Sequence, residues 1–411
     1  MAPEGLDEPS GATAGDRRLF AGITRNTVVL ALSSLFADIS TEMLYPVLPV
    51  YLTQTLMFGG AVVGLIEGAA TATQNIAQGF SGTLSDRLGR RKSIAMAGYA
   101  LAALAKPLIG ASTAWQGVLG GRFLDRLGTG VRSAPRDAMI AASTDSAHRG
   151  KAFGLEGLGD NAGAFIGPVL AVLLLSALHV ELRLIFYLAM IPGVLALAMV
   201  SLVREGPAAA PAVEVVPAPV RFPKAYWKYL AATAVFGMGN SSNAFLILQT
   251  RALGATLSVT ILIYAMFNLV AALVSYPAGA LTDRFGRRNV LLAGFAVFLV
   301  VYLGFGLTQN LALIGGLFLF YGLFQGVFRA AGKAMASDLV PERQRAGGVG
   351  WYGATVGLSG LVASLTAGLI WDRVGHGAVF LVGAAFAAAG SAALVVLTPS
   401  GPARPVAMAA P

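Results

Sequence analysis

Twelve runs of about twenty apolar residues follow one another along this chain. They lie at 27–52, 60–84, 93–112, 116–143, 152–178, 182–203, 226–249, 258–282, 289–307, 311–337, 346–370 and 377–397. About twenty helical residues cross a hydrocarbon core of about 30 Å. The expectation is an all-α membrane protein: twelve transmembrane helices in two six-helix pseudo-repeats. Composition agrees, with 56% hydrophobic and 12% charged residues, where a soluble domain carries roughly 25% charged. The 51 glycines suit helices that approach closely in lipid. A net charge of +9 could suggest nucleic acid, but the basic residues sit between apolar runs rather than along one polar face. With no cysteine, disulfides and thiolate metal sites are excluded.

Between the sixth and seventh runs the pattern stops. Residues 204–225 read Arg-Glu-Gly-Pro, then Ala/Pro/Val repeats, then Arg221-Phe-Pro-Lys224, the composition of a semi-extended linker. The chain thus divides into a tail (1–26), a six-helix bundle (27–203), the linker (204–225), a second six-helix bundle (226–397) and a Pro/Gly/Ala-rich tail (398–411). Lysine and arginine are shared unevenly between the two sets of loops. One set holds clusters such as Arg90-Arg91-Lys92, Arg149 with Lys151, and Arg287-Arg288; the other holds Arg183, Arg251 and Arg373. Positively charged loops stay inside. Both tails and the linker are therefore expected in the cytoplasm of a bacterial-type plasma (inner) membrane. Arg17-Arg18 reads as an anchoring pair before the first run rather than as a twin-arginine signal, and no cleavable leader is expected.

One polar stretch occurs twice. Gly82-Thr-Leu-Ser-Asp86-Arg87-Leu-Gly89-Arg90-Arg91-Lys92 returns 197 positions later as Gly279-Ala-Leu-Thr-Asp283-Arg284-Phe-Gly286-Arg287-Arg288. The same offset relates Arg132-Ser-Ala-Pro-Arg136 to Arg329-Ala-Ala-Gly-Lys333. Two parallel repeats place a substrate path at their interface. Gly89 and Gly286 permit a tight turn with positive φ. Asp86 and Asp283, beside the arginines that follow them, are expected to latch helix ends through carboxylate–guanidinium pairs. The alternative is topological: basic residues that hold a loop inside.

The run from Gly82 to Ile94 resembles the cytoplasmic signature of the major facilitator superfamily, between that family's second and third helices. Arg122-Phe-Leu-Asp125-Arg126-Leu-Gly128-Thr-Gly130 resembles the family's arginine-containing stretch on the fourth helix, with Asp125 and Arg126 where Gln and Gly are usual. Gly154, Gly163 and Gly167-Pro168 resemble the signature of its proton antiporters on the fifth, with Ala171-Val172 replacing the final glycine pair. The resemblance covers all twelve runs. It implies the major facilitator fold, with two halves rocking about a central site.

Several polar residues lie inside the runs. Asp38 and Glu42 are four apart on one helical face, with Tyr45 beyond them. A carboxylate in mid-span costs about 3 kcal/mol. Such a pair must face water, meet a cation or carry a proton, so it either handles protons or substrate or forms a structural salt bridge to the fourth or fifth run. Pro46 and Pro49 are expected to kink the helix. The fourth run carries Arg122, Asp125, Arg126, Arg132 and Arg136. Arg122 and Asp125 suit a local pair; Arg132 and Arg136 suit either an anionic substrate or a lock to Asp38 and Glu42. Glu156 and Asp160, with the small residues Gly154, Gly163, Gly167 and Pro168, point to packing or gating. Glu67, Gln74-Asn75 and Lys106 are further candidates. In the second half, Asn240, Asn243, Tyr264, Asn268, Arg329 and Lys333 offer hydrogen bonds and charge to a ligand. Asp372-Arg373 reads as a local capping pair.

No metal motif, nucleotide loop or catalytic triad is present, and His148, His179 and His376 are dispersed, so an enzyme is not expected. The expected function is secondary active transport: efflux of a small molecule, drug-like or a metabolite, in exchange for protons. The proton gradient supplies the energy and no cofactor is needed. The expected partners are the small-molecule substrate, protons and the lipid bilayer, with no nucleic acid, and the chain is expected to be a monomer. Proton-coupled uptake or facilitated transport of a small organic solute is the alternative, and a non-transporting membrane sensor the alternative of another class.

Overall fold

The computed structural model describes residues 18–20, 23–88, 90–144, 148–204, 222–341 and 344–398. The central linker from 205 to 221 and the tail beyond 398 fall outside them. A short hairpin, β1 (Arg18–Phe20) with β2 (Ile23–Thr24), precedes the first helix. Twelve rods then follow. They are α1 (Arg25–Leu44 and its continuation to Thr55), α2 (Gly60–Leu88), α3 (Arg91–Ala111), α4 (Trp115–Ala142), α5 (Arg149–Ser176), α6 (Leu182–Leu188 with Met190–Ser201), α7 (Lys224–Gly237 with Ala244–Ala252), α8 (Leu257–Phe285), α9 (Arg287–Leu307), α10 (Leu311–Asp338), α11 (Arg345–Arg373) and α12 (His376–Leu397). Each lies within a few residues of its apolar run.

Among the described residues, nine stretches are long and apolar enough to cross a membrane by length and composition alone. The other three rods show why composition falls short there. α2 carries Glu67, Gln74 and Asn75; α4 carries four arginines and two aspartates; α7 is interrupted. Polarity inside a span marks where a helix faces protein or water rather than lipid.

Two rods break where their sequences demand it. α1 gives way at 45–47, resumes at Leu48–Val50 and ends in a π-helical turn, Tyr51–Thr55. Pro46 and Pro49 each lack the N–H a helix interior needs, and their rings crowd the preceding turn. α7 opens between Gly237 and Ala244, which frees Asn240 and Asn243 from regular helix. α8 and α9 are joined by Gly286 alone, at φ +82°, a conformation that favours glycine.

Here the near end means the end where α1 begins and α12 finishes. Arg25 and Asn26 bond there to the Leu202 and Arg204 carbonyls, and Arg288 to those of Leu394 and Val395. Within the first half, α5 lies directly on α1. A Cβ on Gly159, Gly163 or Gly167 would stand 2.5, 2.6 or 2.8 Å from the carbonyl oxygens of Ala31, Leu35 and Ile39. Gly154 departs from the packing role expected of it: a Cβ there would meet nothing within 4 Å, because it lies on the exposed face of α5, opposite Gly163, while Ala152 still packs on α1.

The two halves meet along α2 with α11 and α5 with α8. Their contact tightens away from the near end. A Cβ on Gly79 would sit 3.6 Å from Gly350, an ordinary distance. On Gly68 it would come within 3.1 Å of Leu361, and on Gly64 or Gly368 it would collide with the carbonyl oxygens of Ser364 and Gly60. Ser176 and Ser258 share a hydrogen bond of 2.7 Å across α5 and α8 toward the far end, and Arg251 donates to Gln54 at 3.0 Å. The halves are thus clamped at the far end in this state.

Candidate functional site

The break in α1 delivers its polar stripe to the seam between the halves. Asp38, Glu42 and Tyr45 are half-buried while most of their neighbours on α1 are buried. The Tyr264 hydroxyl of α8 donates to Glu42 at 2.8 Å. Tyr45 stacks on Tyr264, ring centroids 5.3 Å apart, and shares a hydrogen bond of 3.2 Å with Ser242 in the α7 break. Tyr321 of α10 donates to Asn240 in the same break at 3.2 Å. Asn243 sits at the start of the second α7 segment without capping it through its side chain. A carboxylate, two stacked tyrosines and an opened helix therefore join the halves at mid-depth.

Toward the near end, α4 brings two arginines to α1 and α5. Arg132 approaches Asp38 at 3.6 Å and lies 4.5 Å over the Tyr99 ring, but its Nε and Nη1 are buried with no hydrogen-bond partner. Arg136 meets Glu156 at 2.7 Å, Asp160 at 3.5 Å and Asp137 at 3.0 Å, and donates to the Ser34 hydroxyl at 2.8 Å. The sequence offered Asp38 and Glu42 as a lock for these two arginines. The structure divides the partners: Asp38 with Arg132, Glu156 and Asp160 with Arg136, and Glu42 with Tyr264. α5 wins Arg136 because its glycines let the α5 carboxylates come close to α1 and α4.

A second cluster is sealed inside the first half. Arg122 binds Glu67 at 2.9 Å and Asp125 at 2.9 Å, and Lys106 binds Asp125 at 3.0 Å. Arg122 and Asp125 have 0% side-chain exposure and Glu67 only 3%, so the cluster is closed off from solvent. Three cations face two anions, since Arg126 also approaches Asp125 at 3.7 Å; Lys106 donates in addition to the Ala102 carbonyl, and Arg126 to Gln74. Tyr45 forms the outer face of this cluster, with the Arg122 and Arg126 guanidinium carbons 5.5 and 5.9 Å from its ring centroid. Lys106, a further candidate from the sequence, is central here because α3 brings it against Asp125 of α4.

The repeated polar stretch lies at the near end. Gly89 and the side chains of Asp86, Arg87 and Asp283 fall outside the described residues. Lys92 donates to the Ser201 and Val203 carbonyls, and Arg287 pairs with Asp338 at 2.8 Å. Arg284 rests on Phe285, and Arg90 is exposed. Gly82 would bring a Cβ to 3.4 Å of Ala134, and Gly279 to nothing. In this state Lys92, Arg287 and Arg288 tie helix ends together within their own half.

Asp372 corrects the reading of a local pair with Arg373. Its carboxylate accepts from the backbone N–H groups of Gly60 and Ala61, at 2.7 and 2.9 Å, at the start of α2 in the other half. Those amides have no partner within their own helix, and the helix terminus is electropositive. Asp372→Asn keeps the shape and removes the charge. The expected loss is about 0.3–1 kcal/mol of far-end closure, a shift of up to roughly fivefold toward the open far end. Labelling of a cysteine at Ser364, buried in the seam beside Gly64, measures it, because the chain has no other cysteine.

A family model described as Major Facilitator Superfamily matches residues 30–246 and again 229–410. The chain belongs to the major facilitator superfamily. The double match is the duplication seen in the sequence. An uncharacterized MFS-type transporter of Methanocaldococcus jannaschii is 32% identical over 375 residues, covering 89% of this chain and 93% of that one. A probable 4-methylmuconolactone transporter of Cupriavidus pinatubonensis is 28% identical over 368 residues, covering 82% and 83%. The multidrug resistance protein MdtG of Salmonella paratyphi C is 26% identical over 301 residues, covering 70% and 74%. The crystal structure of a peptide transporter superposes with a TM-score of 0.77 at 13% identity, over 93% of this chain and 95% of that one. This major facilitator protein is therefore an integral, multi-pass membrane transporter of a small molecule, with the fold expected, and is not an enzyme.

Proposed function

We propose that this transporter exports a small molecule across a bacterial-type inner membrane in exchange for protons, as a monomer and without a cofactor. Both chain ends face the cytoplasm in this reading, because the basic loops lie at the near end. The far-end clamp then leaves the site open to the cytoplasm, where cargo for export enters. The single observation that carries the reading is the Glu42–Tyr264 hydrogen bond. An ionisable group spans two bodies that must part when the far end opens. A proton on Glu42 weakens the bond by removing its charge, so proton binding biases the rocking equilibrium. The likeness of the α5 stretch Gly154–Pro168 to the antiporter signature supports the outward direction, as does the relative named for multidrug resistance. The relative named for 4-methylmuconolactone supports the second reading, proton-coupled uptake or facilitated passage of a small organic solute.

Accumulation of labelled compounds in cells with and without the protein separates the readings. Export predicts lower accumulation that an uncoupler restores. Raised accumulation favours uptake, and a chain that moves no compound leaves the sensor.

A further inference from the structure

Two cations on α10 differ from the others that face the seam. Each arginine of α4 meets an acid or an amide: Arg122 with Glu67, Arg126 with Gln74, Arg132 with Asp38, Arg136 with Glu156. Arg329 and Lys333 are exposed, and among the described residues no carboxylate lies within ion-pair distance of either. They stand four apart and so share one strip of the helix. Gly322, on that strip nearer the far end, and Gly326 beside it pack on α8, while Tyr321 and Gly332, round to one side, face α7 and α11. Val327, on the opposite face, packs against Gly294 of α9. The strip therefore looks into the seam. Across it, Arg329 acts electrostatically on Glu42 and Lys333 on Asp137. Arg329 is nine residues from the end of α10, roughly 14 Å deep. An arginine cannot shed its charge, so at that depth it needs water or an anion beside it, and Glu42, which it faces, is already bonded to Tyr264.

We propose that Arg329 and Lys333 are the recognition face for the cargo, and that the cargo is a small organic carboxylate. The guanidinium fork matches a carboxylate with two parallel hydrogen bonds, and the lysine adds a point charge one turn nearer the entrance. The inference rests on the transport reading and names its substrate class. An inside-negative membrane potential drives such an anion outward, in keeping with export.

The test is thermal protection of the purified full-length protein by matched compounds: benzoate, benzamide and benzylammonium, and hexanoate, hexanamide and hexylammonium. The carboxylates are expected to raise the melting midpoint, and the amides and ammonium ions are not. Arg329→Gln with Lys333→Gln is expected to weaken the carboxylate response at least tenfold, and Arg329→Lys to keep part of it. Equal protection by the amides, protection by the ammonium ions alone, no protection by either carboxylate, or an unchanged response in the double variant overturns the proposal. Proteoliposomes separate this failure from that of the transport reading. Movement of only neutral or cationic compounds removes the substrate class, whereas movement of nothing removes transport itself.

Discussion

Arg122→Ala is expected to cost about 3–5 kcal/mol of stability, the range for breaking a buried ion pair by removing one partner. Arg122 is fully enclosed and satisfies both Glu67 and Asp125. Its loss leaves Glu67 as a buried carboxylate with no cation and deletes one of the charges that hold Asp125. A typical domain is stable by only 5–15 kcal/mol in all, so the variant should scarcely survive extraction from the membrane. Arg122→Met with Glu67→Met, in an Asp125 and Lys106 background left intact, removes the pair together. It should recover most of the loss, since an apolar replacement of a buried pair is often neutral or better. Thermal melting of the detergent-purified proteins measures both. Equal loss in the single and double variants would contradict the idea that the stranded charge, and not lost packing, sets the cost.

Glu42→Gln should behave in the opposite way, with a small effect on stability and a large one on coupling. The glutamine amide oxygen can still accept from Tyr264, as a neutral hydrogen bond in place of a charge-assisted one. The variant imitates a permanently protonated site. Proton-driven transport in proteoliposomes should fall to the background rate, while exchange of labelled for unlabelled substrate continues. Asp38→Asn should differ. It removes the carboxylate that pairs with Arg132, whose Nε and Nη1 already lack partners among the described residues, so it should lose stability as well as transport. Unchanged pH dependence in both variants removes these carboxylates from the coupling step.

Helix breaks were legible at some prolines and glycines and not at others. Pro46 and Pro49 break α1 as expected, whereas the helices run on through Pro107, Pro135, Pro168 and Pro277, and the break in α7 falls inside a run read as continuous. The near-end hinge at Gly286 follows from the same reasoning. The duplicated stretch and the 197-residue offset revealed two like halves before any contact was known. Partner choice was less legible, because it depends on how closely helices approach. Nothing in the spacing of Arg136 says that it will meet Glu156 and Asp160 rather than Glu42; that follows from Gly159 and Gly163 lying against α1. Gly154 belongs to the same motif yet packs against nothing, since it lies on the face of α5 turned away from α1. Asp372 reached across the seam for the same kind of reason. Its acceptor oxygens found free amides on α2, and only the docking of the two halves brings those amides near.

Rocking between two clamped states is the centre of this account. Gly64 tests it directly, because any side chain there collides with the Ser364 carbonyl oxygen and holds the far end apart. Spin labels on cysteines at Ser176 and Ser258 report the far end, and labels at Ala142 on α4 and Ser337 on α10 report the near end. The account predicts a short far-end and a long near-end distance in the parent protein. In Gly64→Leu the two should trade, the far end lengthening as the near end shortens. Both distances lengthening together, or neither changing, would contradict it.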